Sequence, residues 1–209
     1  MSDPAVAAVP VVECGEPLAD LRPESVLRLD DSRADTDGSY ARLRSGVLER
    51  LLHAQQALPE GLLLLVVEGY RPPALQSRYF EEYRDSLAAA HPDWFAEQLH
   101  RAASRYVSPP DIAPHSAGAA VDLTLVTTDG RELDMGTPVN ASPEESSGRC
   151  YTDADGLSAE ARANRKVLST ALREAGLVNY PTEWWHWSYG DRYWALATGS
   201  PAALYGPTA

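Results

Sequence analysis

Apolar residues recur every three or four positions in four parts of the chain, and this period predicts amphipathic helices. The predicted helices cover residues 40–57, 73–90, 94–105 and 158–175. Pro73 suits the first turn of the second helix, where a missing N–H costs nothing. Asp93 and Ser158 are typical capping residues for the third and fourth helices, and Gly176 is a typical stop.

Strands are predicted where the apolar pattern is continuous or alternates. Residues 62–67 form an unbroken apolar run bounded by turn residues, which is typical of a buried strand. Residues 121–125 alternate instead, so Asp122 points away from the face that carries the apolar side chains. The dipeptide Asp129-Gly130 predicts a hairpin turn. Further strands are predicted at residues 11–14, 131–135, 177–180, 184–188 and 193–197.

This order of elements predicts an α+β fold, in which an antiparallel sheet is covered by helices on one face. Residues 1–38 are rich in Pro, Asp, Ser and Ala, so we expect an irregular N-terminal arm there. Residues 39–209 are predicted to form a single domain. The polar, turn-rich stretch 136–156 predicts a long loop, and such loops in compact domains are often functional lids.

Composition and charge narrow the function. The chain has 209 residues, is 44% hydrophobic and 23% charged, and carries a net charge of -12. An acidic chain lacks the clustered cations that nucleic acid and anionic membranes require, so we expect neither as a partner. The longest apolar run is too short to span a bilayer, and no secretory pattern opens the sequence, so we expect a cytoplasmic protein. Cys14 and Cys150 do not make a disulfide framework.

Two short segments carry the candidate chemistry. His115 follows a proline-rich loop, and Asp122 lies within the predicted strand that comes next. A carboxylate buried in a strand must be paired, hydrogen-bonded or metal-bound, because an isolated one is costly to desolvate. Near the C-terminus, Glu183 and His186 stand among three tryptophans. Two imidazoles, a carboxylate ligand and a spare carboxylate are the components of a catalytic zinc site.

Each segment alone has a plainer interpretation. The tryptophans fit a core in which His186 is simply a hydrogen-bonded histidine, and Arg71 fits a surface turn. On a straight strand, Glu183 and His186 would point to opposite faces, so a shared site requires a bend between them. The turn expected at Pro181-Thr182 favours that bend. Apolar surroundings would raise the pKa of Glu183 toward the range that suits a general base.

Three motifs taken together resemble a known family. They are HSAGAAVD from His115 to Asp122, EWWH at residues 183–186 and EGYRP at residues 68–72. In this order they are similar to the D-alanyl-D-alanine dipeptidases of the VanX type. These enzymes belong to a wider group of zinc peptidases that also holds D,D-carboxypeptidases. The resemblance extends from about Leu62 to Trp194.

The resemblance implies one zinc ion per chain, bound on the sheet by His115, Asp122 and His186. It implies that Glu183 deprotonates the zinc-bound water and then protonates the leaving amine. It also implies that Arg71 polarises the scissile carbonyl and stabilises the oxyanion. The chemistry agrees, because a fixed guanidinium aimed at developing negative charge lowers the barrier by a few kcal/mol.

The residues expected to contact substrate depart from the family pattern. We expect contacts from Asn140, Ser116 and Trp185. The family has an aspartate at the place of Asn140, where it holds the free substrate amine, and a serine at the place of Ala113. An amide lacks the charge to pair an ammonium group. Glu144 or Glu145 in the same loop is a candidate replacement.

These observations predict a cytoplasmic zinc-dependent dipeptidase that hydrolyses D-alanyl-D-alanine or a closely related small dipeptide. One alternative is a D,D-carboxypeptidase that acts on longer peptidoglycan peptides. Another is a zinc amidase or tailoring enzyme of secondary metabolism with an altered substrate pocket. Asn140 is the residue that favours this alternative. A zinc-binding signalling domain without hydrolysis is a further alternative, and the presence of Glu183 and Arg71 argues against it. The expected partner is a small peptide substrate, and the sequence does not decide whether the chain forms a homo-oligomer.

Overall fold

The computed structural model describes residues 3–104 and 106–208, which contain both helices and short strands. The helices are α1 (Pro4–Ala8), α2 (Ser45–Ala57), α3 (Pro73–Ala90), α4 (Ala96–Ala103), α5 (Pro143–Ser146), α6 (Ala159–Glu174) and α7 (Arg192–Thr198). The strands are β1 (Leu18–Asp20), β2 (Arg28–Leu29), β3 (Arg42–Arg44), β4 (Leu62–Glu68), β5 (Ala120–Thr127), β6 (Val178–Asn179) and β7 (His186–Ser188). Single 3₁₀ turns cover Asp31–Arg33, Ser39–Ala41 and His115–Ala117.

A five-stranded sheet in the order β2-β4-β5-β7-β6 forms the centre of the molecule. Its longest ladder joins β4 and β5 antiparallel, from the pair Leu62–Thr127 to the pair Glu68–Asp122. Strand β7 pairs antiparallel with both β5 and β6. The predicted antiparallel sheet is therefore confirmed, and β2 adds one parallel pairing with β4 at its edge. A separate two-stranded sheet joins β1 and β3.

One face of the sheet packs in the apolar core, and the other face carries residues of the site described below. Val121, Leu123 and Leu125 of β5 are fully buried in a cluster that includes Leu51 of α2 and Leu168 of α6. This arrangement confirms the predicted α+β class, with α2 and α6 against the apolar face of the sheet. Helix α3 lines the cavity described below, on the other side of the sheet, and contacts α4. No helix in the described ranges has the length and apolarity that crossing a membrane requires.

The first 38 residues contain more regular structure than expected. They include α1, and they supply β1 and β2, whose partners β3 and β4 lie outside the arm. The predicted strand at 11–14 is reduced to a bridge between Val11 and Ala203. Such pairings depend on distant residues, which explains why local composition did not predict them. The division into residues 1–38 and 39–209 stays a prediction.

Arg44, at the end of β3, connects the arm to the rest of the molecule. Its side chain is 6% exposed and pairs with Glu13 at 3.2 Å. It also donates to the carbonyl oxygens of Glu16, Ala117 and Gly206. One guanidinium thus joins the N-terminal arm, the C-terminal tail and the segment that follows His115.

Several predicted elements are confirmed and others are wrong. Helix α3 begins and ends where predicted, and β4 extends the predicted strand by Glu68. The predicted strand at 193–197 is instead α7, because Asp191 accepts a hydrogen bond from Trp194 N at 2.9 Å and caps a helix there. The predicted strand at 131–135 is a single bridge between Val126 and Glu132.

Two helix starts also differ from the sequence pattern. Residues 40–44 form a 3₁₀ turn and β3, so α2 begins only at Ser45. Helix α4 begins at Ala96 and is capped through Gln98, whose side chain accepts from Phe95 N at 2.9 Å, so Asp93 is not its cap. The predicted end of that helix at Arg105 lies outside the described residues. Cys14 is exposed, Cys150 is buried, and both are free thiols.

Candidate metal centre

His115 is held by the segment that follows β4. Its Nδ1 lies 2.7 Å from the carbonyl oxygen of Gly69, which fixes Nδ1 as the protonated nitrogen. The Nε2 lone pair is therefore free to face the interior of the site. The carbonyl oxygen of His115 in turn accepts from Arg71 N at 3.2 Å. The partner that orients the first histidine is thus a backbone carbonyl, which a sequence motif does not reveal.

Asp122 and His186 are neighbours across the sheet. The register of β5 and β7 places them directly opposite each other, and Asp122 Oδ1 lies 3.0 Å from His186 Nδ1. The chain turns just before β7, where His186 N donates to Glu183 O at 3.1 Å. This turn is the bend that a shared site for Glu183 and His186 requires. Strand pairing therefore brings together residues that are far apart in the sequence.

Three ligand-type atoms converge on one point. His115 Nε2 lies 3.4 Å from Asp122 Oδ1 and 3.2 Å from His186 Nδ1, and the three residues are all buried. Burial alone would raise the pKa of Asp122, but the two imidazoles outweigh it and hold that pKa well below its ordinary value. The carboxylate is therefore charged and available as a ligand. Two imidazoles and one carboxylate fit a zinc ion with an open coordination position.

Glu183 borders this cluster as the spare carboxylate. Its Oε2 lies 3.8 Å from His186 Nδ1, and its side chain is 17% exposed. Burial raises the pKa of Glu183 to about 7, and the negative charge of Asp122 adds to the shift. A carboxyl group in this range can accept and return a proton near neutral pH.

Arg71 lies in the same cavity with its guanidinium held from two sides. Its Nε and Nη2 donate to the two carboxylate oxygens of Glu68 at 2.7 and 2.6 Å, and its Nη1 donates to Gln76 Oε1 at 2.9 Å. The side chain is 13% exposed. Sequence reasoning missed both partners. Glu68 was visible within the EGYRP motif, whereas Gln76 carried no signal beyond its place in the first turns of α3.

The comparisons with known proteins agree with this geometry. The family described as Peptidase_M15, D-ala-D-ala dipeptidase, matches residues 43–198. A D-alanyl-D-alanine dipeptidase of Synechocystis sp. is 33% identical, over 90% of this chain and 87% of that protein. The chain belongs to the D-Ala-D-Ala dipeptidase family. With the His-Asp-His cluster, membership makes this protein a zinc metallopeptidase.

Other relatives of this peptidase are more distant. A D-alanyl-D-alanine dipeptidase of Enterococcus faecium is 29% identical over 68% of this chain and 70% of its own length. Among solved structures, VanYB in complex with D-alanine-D-alanine is 16% identical, with a TM-score of 0.48 over 94% of each chain. A structural likeness of that size carries no argument about the site.

The centre of this peptidase opens into a cavity of about 380 Å³. Trp185 and Asn140 line it, in line with their expected positions. Asn140 has a left-handed backbone with φ of 64°, and its carbonyl oxygen accepts from Tyr106 Oη at 2.9 Å. Ser116 is fully buried, does not line the cavity, and donates to Arg71 O at 2.9 Å. Ser116 therefore lies behind the cavity wall, where its hydroxyl group holds the backbone at Arg71.

The carboxylates that line the cavity are not the loop carboxylates that were expected to contact the substrate amine. Glu145 accepts from Ser142 in the capping box of α5, and neither Glu144 nor Glu145 lines the metal cavity. Among the described residues that line it, Glu82 of α3 is the carboxylate besides Asp122 and Glu183. Arg33, from the N-terminal arm, lines the same cavity.

Proposed function

We propose that this zinc peptidase hydrolyses D-alanyl-D-alanine or a closely related small dipeptide. The observation that carries the proposal is that a three-ligand metal cluster, the carboxyl group of Glu183 and the guanidinium of Arg71 all line one cavity. At about 380 Å³ that cavity is at the small end of ligand sites, which suits a dipeptide. The D-Ala-D-Ala specificity itself comes from the family and its named relatives.

The catalytic roles follow from the position and charge of each group. A zinc ion bound by His115, Asp122 and His186 supplies Lewis-acid chemistry. Glu183 takes a proton from the attacking water and returns it to the leaving amine, which its raised pKa permits. Arg71 donates to the carbonyl oxygen as negative charge develops there. Attack of the water forms the new C–O bond, the peptide C–N bond then breaks as the leaving amine takes the proton from Glu183, and two free amino acids leave.

Opposite charges on the wall suit a zwitterionic dipeptide. Glu82, which lies 3.7 Å from Arg78 and lines the cavity, is the proposed partner of the free amine that the Asn140 amide cannot neutralise. Arg33, which lines the same cavity, is the proposed partner of the free carboxylate of the substrate. Both side chains lie on the exposed rim of the cavity, so each pair contributes modestly.

One feature favours a second candidate, a carboxypeptidase or amidase that acts on blocked or longer peptides. Asn140 lines the metal cavity and also a neighbouring depression of about 480 Å³, which Glu145 and Arg149 border. A substrate extended at its amino end would continue past the uncharged Asn140 into this depression. An aspartate at Asn140 would oppose such an extension, because its charge would be left without an ammonium partner.

A small substrate panel tests the proposal with the zinc-loaded protein. The panel contains D-Ala-D-Ala, L-Ala-L-Ala, N-acetyl-D-Ala-D-Ala and a longer peptide that ends in D-Ala-D-Ala. Cleavage of the free D,D-dipeptide alone supports the dipeptidase. Cleavage of only the blocked or longer substrates rejects it in favour of the second candidate. A cytoplasmic location is part of the proposal, and cell fractionation with an antibody against the protein tests it.

A further inference from the structure

We propose that Gln76 and Glu68 together form a clamp that positions Arg71 against the metal centre. The clamp is defined by the three hydrogen bonds that these two side chains accept from the Arg71 guanidinium. The inference rests on the proposed role of Arg71 as the group that stabilises the oxyanion. Gln76 and Glu68 act through Arg71 and are therefore positioning residues.

Glu68 connects Arg71 to the strand that carries a metal ligand. It is 3% exposed, lies at the end of β4, and stands directly opposite Asp122 in the β4–β5 register. Both of its oxygens accept from Arg71, in the bidentate geometry that gives a guanidinium a defined orientation. The position of Arg71 relative to Asp122 is thus set by one strand pairing.

Gln76 restrains the other edge of the same guanidinium. It is 1% exposed, so its amide must find partners within the protein. Its Oε1 accepts from Arg71 Nη1 at 2.9 Å, and its Nε2 donates to Ser108 O at 2.8 Å. Ser108 lies in the proline-rich loop that leads to His115. Gln76 therefore ties Arg71 to the loop of a second metal ligand.

The clamp leaves a defined part of Arg71 for the substrate. A guanidinium has five N–H groups, and Glu68 and Gln76 accept from three of them. The two that remain are on Nη1 and Nη2, one on each. A displacement of about 1 Å in such a group costs up to a hundredfold in rate, so losing one side of the clamp should reduce turnover.

Gln55, which is partly buried, offers a control for the loss of a glutamine amide that bonds within the protein. It makes the same two kinds of bond, donating to Leu62 O at 3.0 Å and accepting from Leu64 N at 2.7 Å. Its partners are backbone groups of β4, and it does not line the metal cavity. Gln55→Met and Gln76→Met remove comparable hydrogen bonds, but only the second change touches Arg71.

The kinetic test measures kcat, KM and zinc content for both variants, alone and combined with Arg71→Ala. We expect Gln76→Met to lower kcat by about 10- to 100-fold with KM and zinc content nearly unchanged. Gln55→Met should lower the melting temperature and leave kcat unchanged. In the Arg71→Ala background, Gln76→Met should cause no further loss, because its effect passes through the missing guanidinium. An equal loss in both backgrounds would overturn the clamp.

A second measurement does not depend on turnover. The Arg71 Nη1–H signal in a nitrogen-15 NMR spectrum, assigned with Arg71→Lys, reports how firmly the guanidinium is held on the side that donates to Gln76. We expect its hydrogen exchange to be at least about tenfold faster in Gln76→Met than in the parent and in Gln55→Met. Unchanged exchange refutes the clamp even if the parent cleaves every peptide. Faster exchange in a parent that cleaves none supports the clamp and rejects the proposed substrate.

Discussion

The metal centre and the wall that would meet the substrate are built in different ways. His115, Asp122 and His186 are each 5% exposed or less, and strand pairing or a backbone carbonyl holds them in place. The charged wall residues Arg33 and Glu82 are exposed and come from the N-terminal arm and from α3. The metal ligands are thus held by the sheet and its adjoining backbone, whereas the proposed substrate contacts lie on other elements that can vary without disturbing these ligands.

Removal of a metal ligand should give the largest effect. We expect His186→Ala to lose bound zinc and to reduce activity by more than about a thousandfold, because the metal supplies the Lewis acid. The secondary structure should persist, since the core lies on the opposite face of the sheet. Zinc content, activity and far-ultraviolet circular dichroism check these outcomes together. Full zinc occupancy in this variant would contradict the assigned ligand set.

Removal of the base should separate binding from chemistry. We expect Glu183→Gln to retain zinc and to lower kcat by about 100- to 10,000-fold, because the amide cannot accept the proton of the attacking water. Zinc analysis and single-turnover rates measure the two effects. A rate near that of the parent would show that another group acts as the base.

The same variant should be more stable without metal at high pH. The pKa of Glu183 is raised from 4.5 to about 7 in the folded protein, so ionisation costs folding free energy. Below about pH 4.5 the group is protonated in both states and there is no penalty, and above about pH 7 the full penalty is present. We expect Glu183→Gln to raise the unfolding free energy by about 1–3 kcal/mol at pH 8.

Denaturant unfolding of the metal-free parent and variant, at pH 8 and at pH 4.5, checks this prediction. The two proteins should differ at the higher pH and nearly coincide at the lower one. Equal stability of the two proteins at both pH values would indicate that the pKa of Glu183 is not raised in the folded protein.

A substitution in the wall of the metal cavity should have the smallest effect on activity. We expect Asn140→Asp to lower KM for a free dipeptide by about 3- to 10-fold, because a carboxylate pairs with the substrate ammonium. The kcat value should change little, since Asn140 touches none of the metal ligands. The variant Asn164→Asp, a matched change on α6, should leave both constants unaltered. An increase in KM for the free dipeptide would favour the blocked or extended substrate.

The sequence predicted the metal centre better than the wall. Asp122 could be assigned because strand alternation separates it from Val121 and Leu123. The left-handed backbone of Asn140 and the approach of Tyr106 depend on how the loop and α4 meet, which no local pattern records. The contact of Gln76 with Arg71 likewise exists only because α3 follows β4 at one particular angle.

The fold shows the same division. Long apolar runs and capping signals predicted β4, α3 and α6, whose propensities agree with their environment. Helix α7 was predicted as the second strand of a pair around Gly190-Asp191, although Asp191 is in fact the cap of the helix. The parallel partner β2 is two residues long, and nothing in so short a segment identifies its partner.

Arg44 has a consequence for anyone who wishes to trim the protein to a minimal domain. The family match begins at residue 43, which invites a truncation just before Arg44. That cut would remove Glu13 and the Glu16 carbonyl, two of the groups that neutralise or hydrogen-bond this buried guanidinium. A buried cation that loses its carboxylate partner destabilises a protein by several kcal/mol. The start of the family match is therefore not a safe place to cut, and a shortened version should keep the arm from Glu13 onward.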